Sequence, residues 1–156
     1  MSSVSAVKNL FEPAAVAEVQ QRIASMKSDS ERQWGTMSPA QALAHCSASI
    51  AMALGDIREP RVFIGRLLGP LAKRSLLVRG EPMRRNALTP KSVEVRDNRN
   101  FASEQRRLSE SVDLFASGGP ERCSRHPHFF FGPLTPQEWA TLMYVHLDHH
   151  LRQFGA

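Results

Sequence analysis

The apolar positions along the chain recur at helical spacing in five stretches. The first covers roughly residues 13–27, with Ala15, Val16, Val19 and Ile23 on one stripe and Pro13 at a position suited to the first helical turn. The Ser-Asp-Ser run at 28–30 ends it. The second starts at Ser38, a good N-cap followed by Pro39 at the first helical position, and runs to Gly55. The third, 62–77, is apolar but interrupted by Gly65, Gly69 and Pro70, which predicts a kinked or broken helix. The fourth runs from about Arg99 to Ser117, with Phe101, Leu108, Val112 and Phe115 near one stripe, and the Ser-Gly-Gly-Pro run at 117–120 stops it. The last opens with Thr135 as N-cap, Pro136 at N1 and Glu138 at N3, a capping box, and continues to about Phe154 with Gly155 as its C′ residue.

Between these stretches, residues 80–98 carry two prolines and little periodicity, and 121–134 read as a second loop. Strand signals are limited to the short runs 93–96 and 128–131, neither with an obvious partner. The pattern predicts a single all-α domain over residues 1–156: a four-helix bundle with an extra kinked helical segment between the second and third bundle helices.

Composition narrows this picture only modestly. A chain of 156 residues, 42% hydrophobic and 22% charged, is long enough to bury one core. No run approaches the roughly 18 apolar residues of a membrane-spanning helix, and the opening MSSVSAVKNLFEP lacks the apolar stretch of a secretory signal. A cytoplasmic protein that does not enter the membrane is the expectation. The two cysteines, Cys46 and Cys123, form no CxxC pair and suit a reducing compartment. The net charge of +5 is concentrated between Asp56 and Arg107, where thirteen Lys or Arg face six Asp or Glu. Only Phe63 and Phe101 fall among these charges, too few for a base-stacking surface, and no zinc-finger or helix-turn-helix spacing accompanies them. A solvated basic face is therefore favoured over a nucleic-acid surface.

The chemistry-bearing residues gather near the end of the chain, in HLDHH at 146–150. On a helical projection Trp139, Leu142, Met143, His149, His150 and Gln153 all fall within about 60° of His146. That stripe should face the core. Asp148 falls on the far side, four residues before Arg152, as a surface ion pair of little energetic weight. His146 and His150 stand one turn apart, about 6 Å along the axis, a spacing from which two imidazoles can converge on one ion. The second helix offers His45, whose face carries Gln41, Ala48, Ser49 and Met52, with Leu43, Ile50 and Leu54 opposite. Small and adaptable neighbours leave room beside its ring. A buried neutral histidine needs a partner, and either a metal or a backbone carbonyl would serve. His149, His150 and Arg152 would also suit the negative end of a helix dipole. Spacing and facing leave metal ligation and hydrogen-bonded core histidines both open. Cys123, His126 and His128 form a second cluster, but it lacks a fourth ligand. The Phe129-Phe130-Phe131 run is expected to plug the end of the bundle. There is no GxSxG, phosphate loop or HExxH.

WGTMSPAQALAHC at 34–46, followed by HPHFFFGPLTPQEWATLMYVHLDHHLRQFG at 126–155, resembles the DinB-like superfamily. Within it the chain is most similar to the domain-of-unknown-function family 1569, which EPMRRNALTP at 81–90 also resembles. The resemblance implies a four-helix bundle in which His45, His146 and His150 bind a divalent metal, zinc or nickel, with open positions for water. Some members of the superfamily are thiol-dependent transferases or isomerases that use small bacterial thiols such as bacillithiol or mycothiol. The expectation is a metal-dependent, thiol-dependent transferase or hydrolase acting on a small molecule. Gln41 and Gln153 would orient ligands or water, and Ser49, Met52, Trp139, Met143 and His149 would line the pocket. Arg84 and Arg85 would hold a carboxylate. The alternative is a non-catalytic bundle whose role is association with another protein or with itself as a homodimer.

Overall fold

A computed structural model of the chain describes residues 6–156. Five α-helices appear in the expected order: α1 (Pro13–Ser25), α2 (Pro39–Ala53), α3 (Phe63–Lys73), α4 (Phe101–Gly118) and α5 (Pro136–Gln153). Both capping boxes form. Ser38 Oγ accepts from the Gln41 amide while the Gln41 side chain accepts from the Ser38 amide, and Thr135 and Glu138 do the same at α5. Each pair satisfies two backbone donors that a helix start leaves without partners. At α4 the cap is Asn100, whose side chain accepts from the Ser103 amide, so that helix starts two residues later than the apolar pattern suggests. No strand forms among the described residues; the 128–131 run closes instead into a tight loop through paired backbone bonds between His128 and Gly132.

Four helices make a closed ring in which α1 and α2 each pack against α4 and α5, with α1 diagonal to α2 and α4 diagonal to α5. The core between them is built from Val19, Ile23, Leu43, Ile50, Leu108 and Phe115, each at most 2% exposed. At about 25 cal/mol per Å² of apolar surface removed from water, side chains of this size each contribute roughly 1.5–3 kcal/mol. Leu43 and Ile50 meet the core from the side of α2 opposite His45, as their spacing implied. Asp148 is more than a surface partner of Arg152, which it holds at 2.9 Å. It also receives Arg22 of α1 at 2.7 Å, and Arg22 reaches on to the Ala156 carbonyl at 2.9 Å. The far face of α5 is thereby tied to α1.

The segment between α2 and α4 is the extra helical segment that the pattern predicts, irregular rather than broken. The helix is not broken at Gly65, Gly69 or Pro70; α3 continues to Lys73 and then widens into one π turn, Arg74–Val78, with the Arg79 amide donating to the Arg74 carbonyl at 3.1 Å. Pro70 has no amide to offer the turn before it, and the irregularity appears a turn later. The glycines serve a close approach. A Cβ at Gly65 would stand 2.6 Å from the Phe130 carbonyl oxygen, and one at Gly69 would stand 2.3 Å from it. One face of α3 thus lies directly on the backbone of the 128–132 loop. The three phenylalanines accordingly lie beneath α3 and line a cavity, which is more than the end plug the sequence suggests.

Gly69→Ala sets helix propensity against sterics. Alanine favours a helix interior by up to about 1 kcal/mol over glycine, but the neighbour here is a backbone oxygen that cannot swing away, and overpacking of this kind costs about 1–3 kcal/mol. We expect net destabilisation in urea denaturation, with Leu67→Ala on the exposed side of the same helix within about 0.5 kcal/mol of the parent. Equal midpoints for Gly69→Ala and the parent would contradict the close approach.

Candidate metal centre

His45 points from α2, and His146 and His150 point from α5, to a common place. The ring centroids stand 4.9 Å (His45–His146), 4.8 Å (His45–His150) and 4.6 Å (His146–His150) apart. One ring nitrogen from each lies within 4.8 Å of the others, and the Nε2 atoms of His45 and His146 are 3.0 Å apart. Metal–nitrogen bonds of about 2.0–2.1 Å fit a group of this span. Among the described residues this is the one His, Cys, Asp or Glu group that could hold a metal ion.

The far nitrogens decide the tautomers. His45 Nδ1 lies 2.7 Å from the Val93 carbonyl oxygen, which only accepts, so Nδ1 carries the proton and Nε2 the lone pair. His150 Nδ1 lies 2.9 Å from Gln153 Oε1, while Gln153 Nε2 donates to the Trp34 carbonyl at 2.8 Å. The second bond orients the amide, so His150 also donates through Nδ1 and keeps its Nε2 lone pair. This arrangement, a far N–H held by a carbonyl, is the one that sets the tautomer of metal-binding histidines. His146 Nδ1 is buried and has no partner among the described residues. With the lone pair on His45 Nε2, the 3.0 Å contact is a hydrogen bond in which His146 Nε2–H donates, so ligation through that nitrogen requires the His146 proton to move to Nδ1.

Electrostatics keep the three rings neutral. Burial lowers His45, against the opposing bond to Val93. Burial, then the neighbouring charges of His150 and His45, hold His146 well below the usual histidine range. Burial and His45 push His150 down to about 3. Neutral imidazole is the ligating form, so no proton need be displaced from the Nε2 lone pairs of His45 and His150 near pH 7.

A cavity of about 1450 Å³ opens beside the three rings. Gln41, Ser49, Met52, Trp139, Met143, His149 and Gln153 stand in its lining. Their roles differ. Gln153 orients His150, as above. The Gln41 amide is spent on the Ser38 cap and on the Asp97 carbonyl at 3.1 Å, so it orients no histidine. Ser49 Oγ bonds back to the His45 carbonyl at 3.0 Å, within its own helix. Trp139 Nε1 donates to the Ser124 carbonyl at 3.1 Å. His149 stands outside the three-ring group, its ring 5.3 Å from that of Trp34. Arg84 and Arg85 both line the cavity, and the Arg85 guanidinium lies 4.2 Å from the centre of the Trp34 ring.

Sequence reasoning missed three participants. Val93 holds His45 through a carbonyl, which leaves no trace in residue type. Trp34 acts on Gln153 in the same silent way. His128 was assigned to a loop cluster with Cys123 and His126; it lines the cavity instead. Cys123 faces the Gly119 and Pro136 carbonyls, and burial raises its thiol to about 11. His126 Nε2 meets the Glu59 carbonyl at 3.0 Å. The three do not converge.

A ring of four helices presenting three histidines at the wall of a cavity is the class of protein that fold and site define, in accord with the DinB-like superfamily. The chain belongs to the DUF1569 family, described as a protein of unknown function, which it matches over residues 8–156. No curated protein and no solved structure matches it. No helix among the described residues is long and apolar enough to cross a membrane.

The neutral rings make metal-free protein acid-sensitive. Unfolded histidines take up protons below the usual value of 6.5, whereas His150 in the fold does so only at about 3. The unfolded state then binds more protons, so stability falls as pH drops from about 6.5, by about 1.4 kcal/mol per pH unit for each histidine that stays neutral in the fold. Urea denaturation of chelator-treated protein at pH 7.5 and pH 5 should show this loss, and a smaller loss in His150→Gln. Equal stability at the two pH values would contradict the assignment.

Proposed function

We propose that His45, His146 and His150 hold a divalent metal, zinc or nickel, and that the protein is a metal-dependent transferase or hydrolase acting on a small molecule bound in the adjoining cavity. The observation that carries this reading is the convergence of three neutral imidazoles, two of them with Nδ1–H committed to carbonyl oxygens and their Nε2 lone pairs turned toward the group. A metal held by three neutral ligands keeps its full charge and supplies a Lewis acid that lowers the pKa of a bound water or thiol. The chain's own residues do the rest. Val93 and Gln153 aim two of the rings. Arg84 and Arg85 bring positive charge to the cavity, suited to a carboxylate-bearing ligand. A low-molecular-weight thiol as co-substrate rests on the resemblance to thiol-dependent transferases.

Elemental analysis of protein purified without a histidine tag tests the reading. We expect one ion per chain, lost in His45→Ala and in His146→Ala. A folded parent protein that takes up no zinc or nickel would contradict it.

A second reading, self-association, has its own observation. On α3, Phe63, Leu67 and Leu71 are 76%, 63% and 68% exposed, an unusual density of large apolar side chains for a free helix. We expect sedimentation velocity to show a dimer that Leu67→Glu dissociates; a monomer at all concentrations up to about 100 μM (roughly a hundredfold above a micromolar Kd) would remove this reading.

A further inference from the structure

His128 is an 8% exposed histidine that takes no part in the three-ring group. Its ring is wedged among Phe129, Phe131 and Trp139, with centroids 4.4, 4.9 and 5.6 Å away. Nδ1 accepts two backbone N–H groups, from Phe130 at 3.1 Å and Phe131 at 3.2 Å. A ring nitrogen that accepts must carry its lone pair, so the proton of the neutral ring sits on Nε2. The loop that carries the ring is itself closed by bonds between the His128 amide and Gly132 carbonyl at 2.9 Å and the reverse pair at 3.0 Å. Ring orientation and tautomer are therefore both set before any ligand arrives.

Protonating Nδ1 would break both backbone bonds. It would also place a cation in a buried position near Arg61, and burial and that charge hold His128 down to about 3. Nε2 takes no hydrogen bond among the described residues, is not among the polar atoms sealed away without a partner, and belongs to a residue that lines the same cavity as His146. The cavity is otherwise apolar on this side, with Ile64, Leu68, Leu71, Phe130 and Phe131 in its wall. A neutral donor with no acceptor of its own in an apolar wall is complementary to an oxygen acceptor on a molecule that fills the space.

We propose that His128 presents its Nε2–H to the bound small molecule as a fixed hydrogen-bond donor, selecting a ligand with a carbonyl or carboxylate oxygen on an apolar body. The proposal rests on the reading of this cavity as the ligand site. The cationic side chains Arg84 and Arg85 favour the same oxygen chemistry. The competing account is purely structural: His128 would exist only to receive the Phe130 and Phe131 amides and so shape the loop under α3.

Substitution separates the two. Asn at this position can accept the backbone amides through its side-chain oxygen but is too short to reach where Nε2 stands; Gln can place an amide N–H near that point. Benzoate, an apolar ring with a carboxylate, is the probe. In ¹⁵N-labelled parent protein, long-range ¹H–¹⁵N spectra should show His128 as the Nε2–H tautomer, and benzoate should shift that resonance in zinc-loaded protein. His128→Asn should keep the fold and the zinc stoichiometry yet bind benzoate about tenfold more weakly, the loss of one hydrogen bond, and His128→Gln should recover part of it. An Nδ1–H tautomer, no benzoate-induced shift at His128, or parent-like benzoate binding by His128→Asn would each overturn the proposal. Failure of the parent to bind zinc would sink the metal reading alone, since the tautomer and the benzoate shift can both be read in metal-free protein.

Discussion

Three imidazoles can share a buried space only if all three stay neutral, and two of these three have their second nitrogen held by a carbonyl oxygen. That requirement organises much of the molecule. His45 is served by a carbonyl of the long segment between α3 and α4, which places Val93 and Val95 in buried positions on the open side of α2. His150 is served by Gln153, and Gln153 by the backbone of Trp34 before α2. The Gln33 amide adds a bond to the Gln153 carbonyl at 2.8 Å. The end of α5 is thus clamped to the approach to α2, and the two helices that carry the rings are held in register by the same contacts that set their tautomers. Desolvation costs of several kcal/mol for any charged form in such a place make neutrality a condition of the fold near pH 7, independent of what the rings bind.

The cavity beside them exists because α3 is held away from the ring of four helices. It stands on the backbone of the 128–132 loop through Gly65 and Gly69, and its following π turn returns the chain to α5 through buried Leu76 and Leu77. One consequence is a roof of apolar side chains, some turned to the cavity and some to solvent. Another is that the loop beneath carries His128 into the same space. Fold and chemistry meet in that loop: the close packing that makes it rigid is also what makes its one histidine a donor of known direction.

Much of this was legible in the sequence because it depends on local rules. Ser38-Pro39 and Thr135-Pro136 mark helix starts through the side-chain caps they make, and both capping boxes are present. Helical periodicity placed His45, His146 and His150 on inward faces, and those faces do meet. What could not be read depends on distant partners. The carbonyls of Val93 and Trp34 have no residue-type signature. Gln41 and Gln153 look alike on a helical projection, yet a cap claims one and a histidine the other. The glycines of α3 read as breaks because their cause, the carbonyl of Phe130, lies 61 residues or more further along the chain. His128 was grouped with its sequence neighbours, whereas its ring answers to the turn it closes.

All of this turns on whether these three rings act on one ion. A crystal of zinc-loaded protein, measured on both sides of the zinc absorption edge, tests it most directly. We expect a single anomalous peak per chain at bonding distance from His45, His146 and His150, with the Val93 and Gln153 bonds intact behind two of them. A peak elsewhere, or three rings bonded only to one another and to the chain, would contradict it.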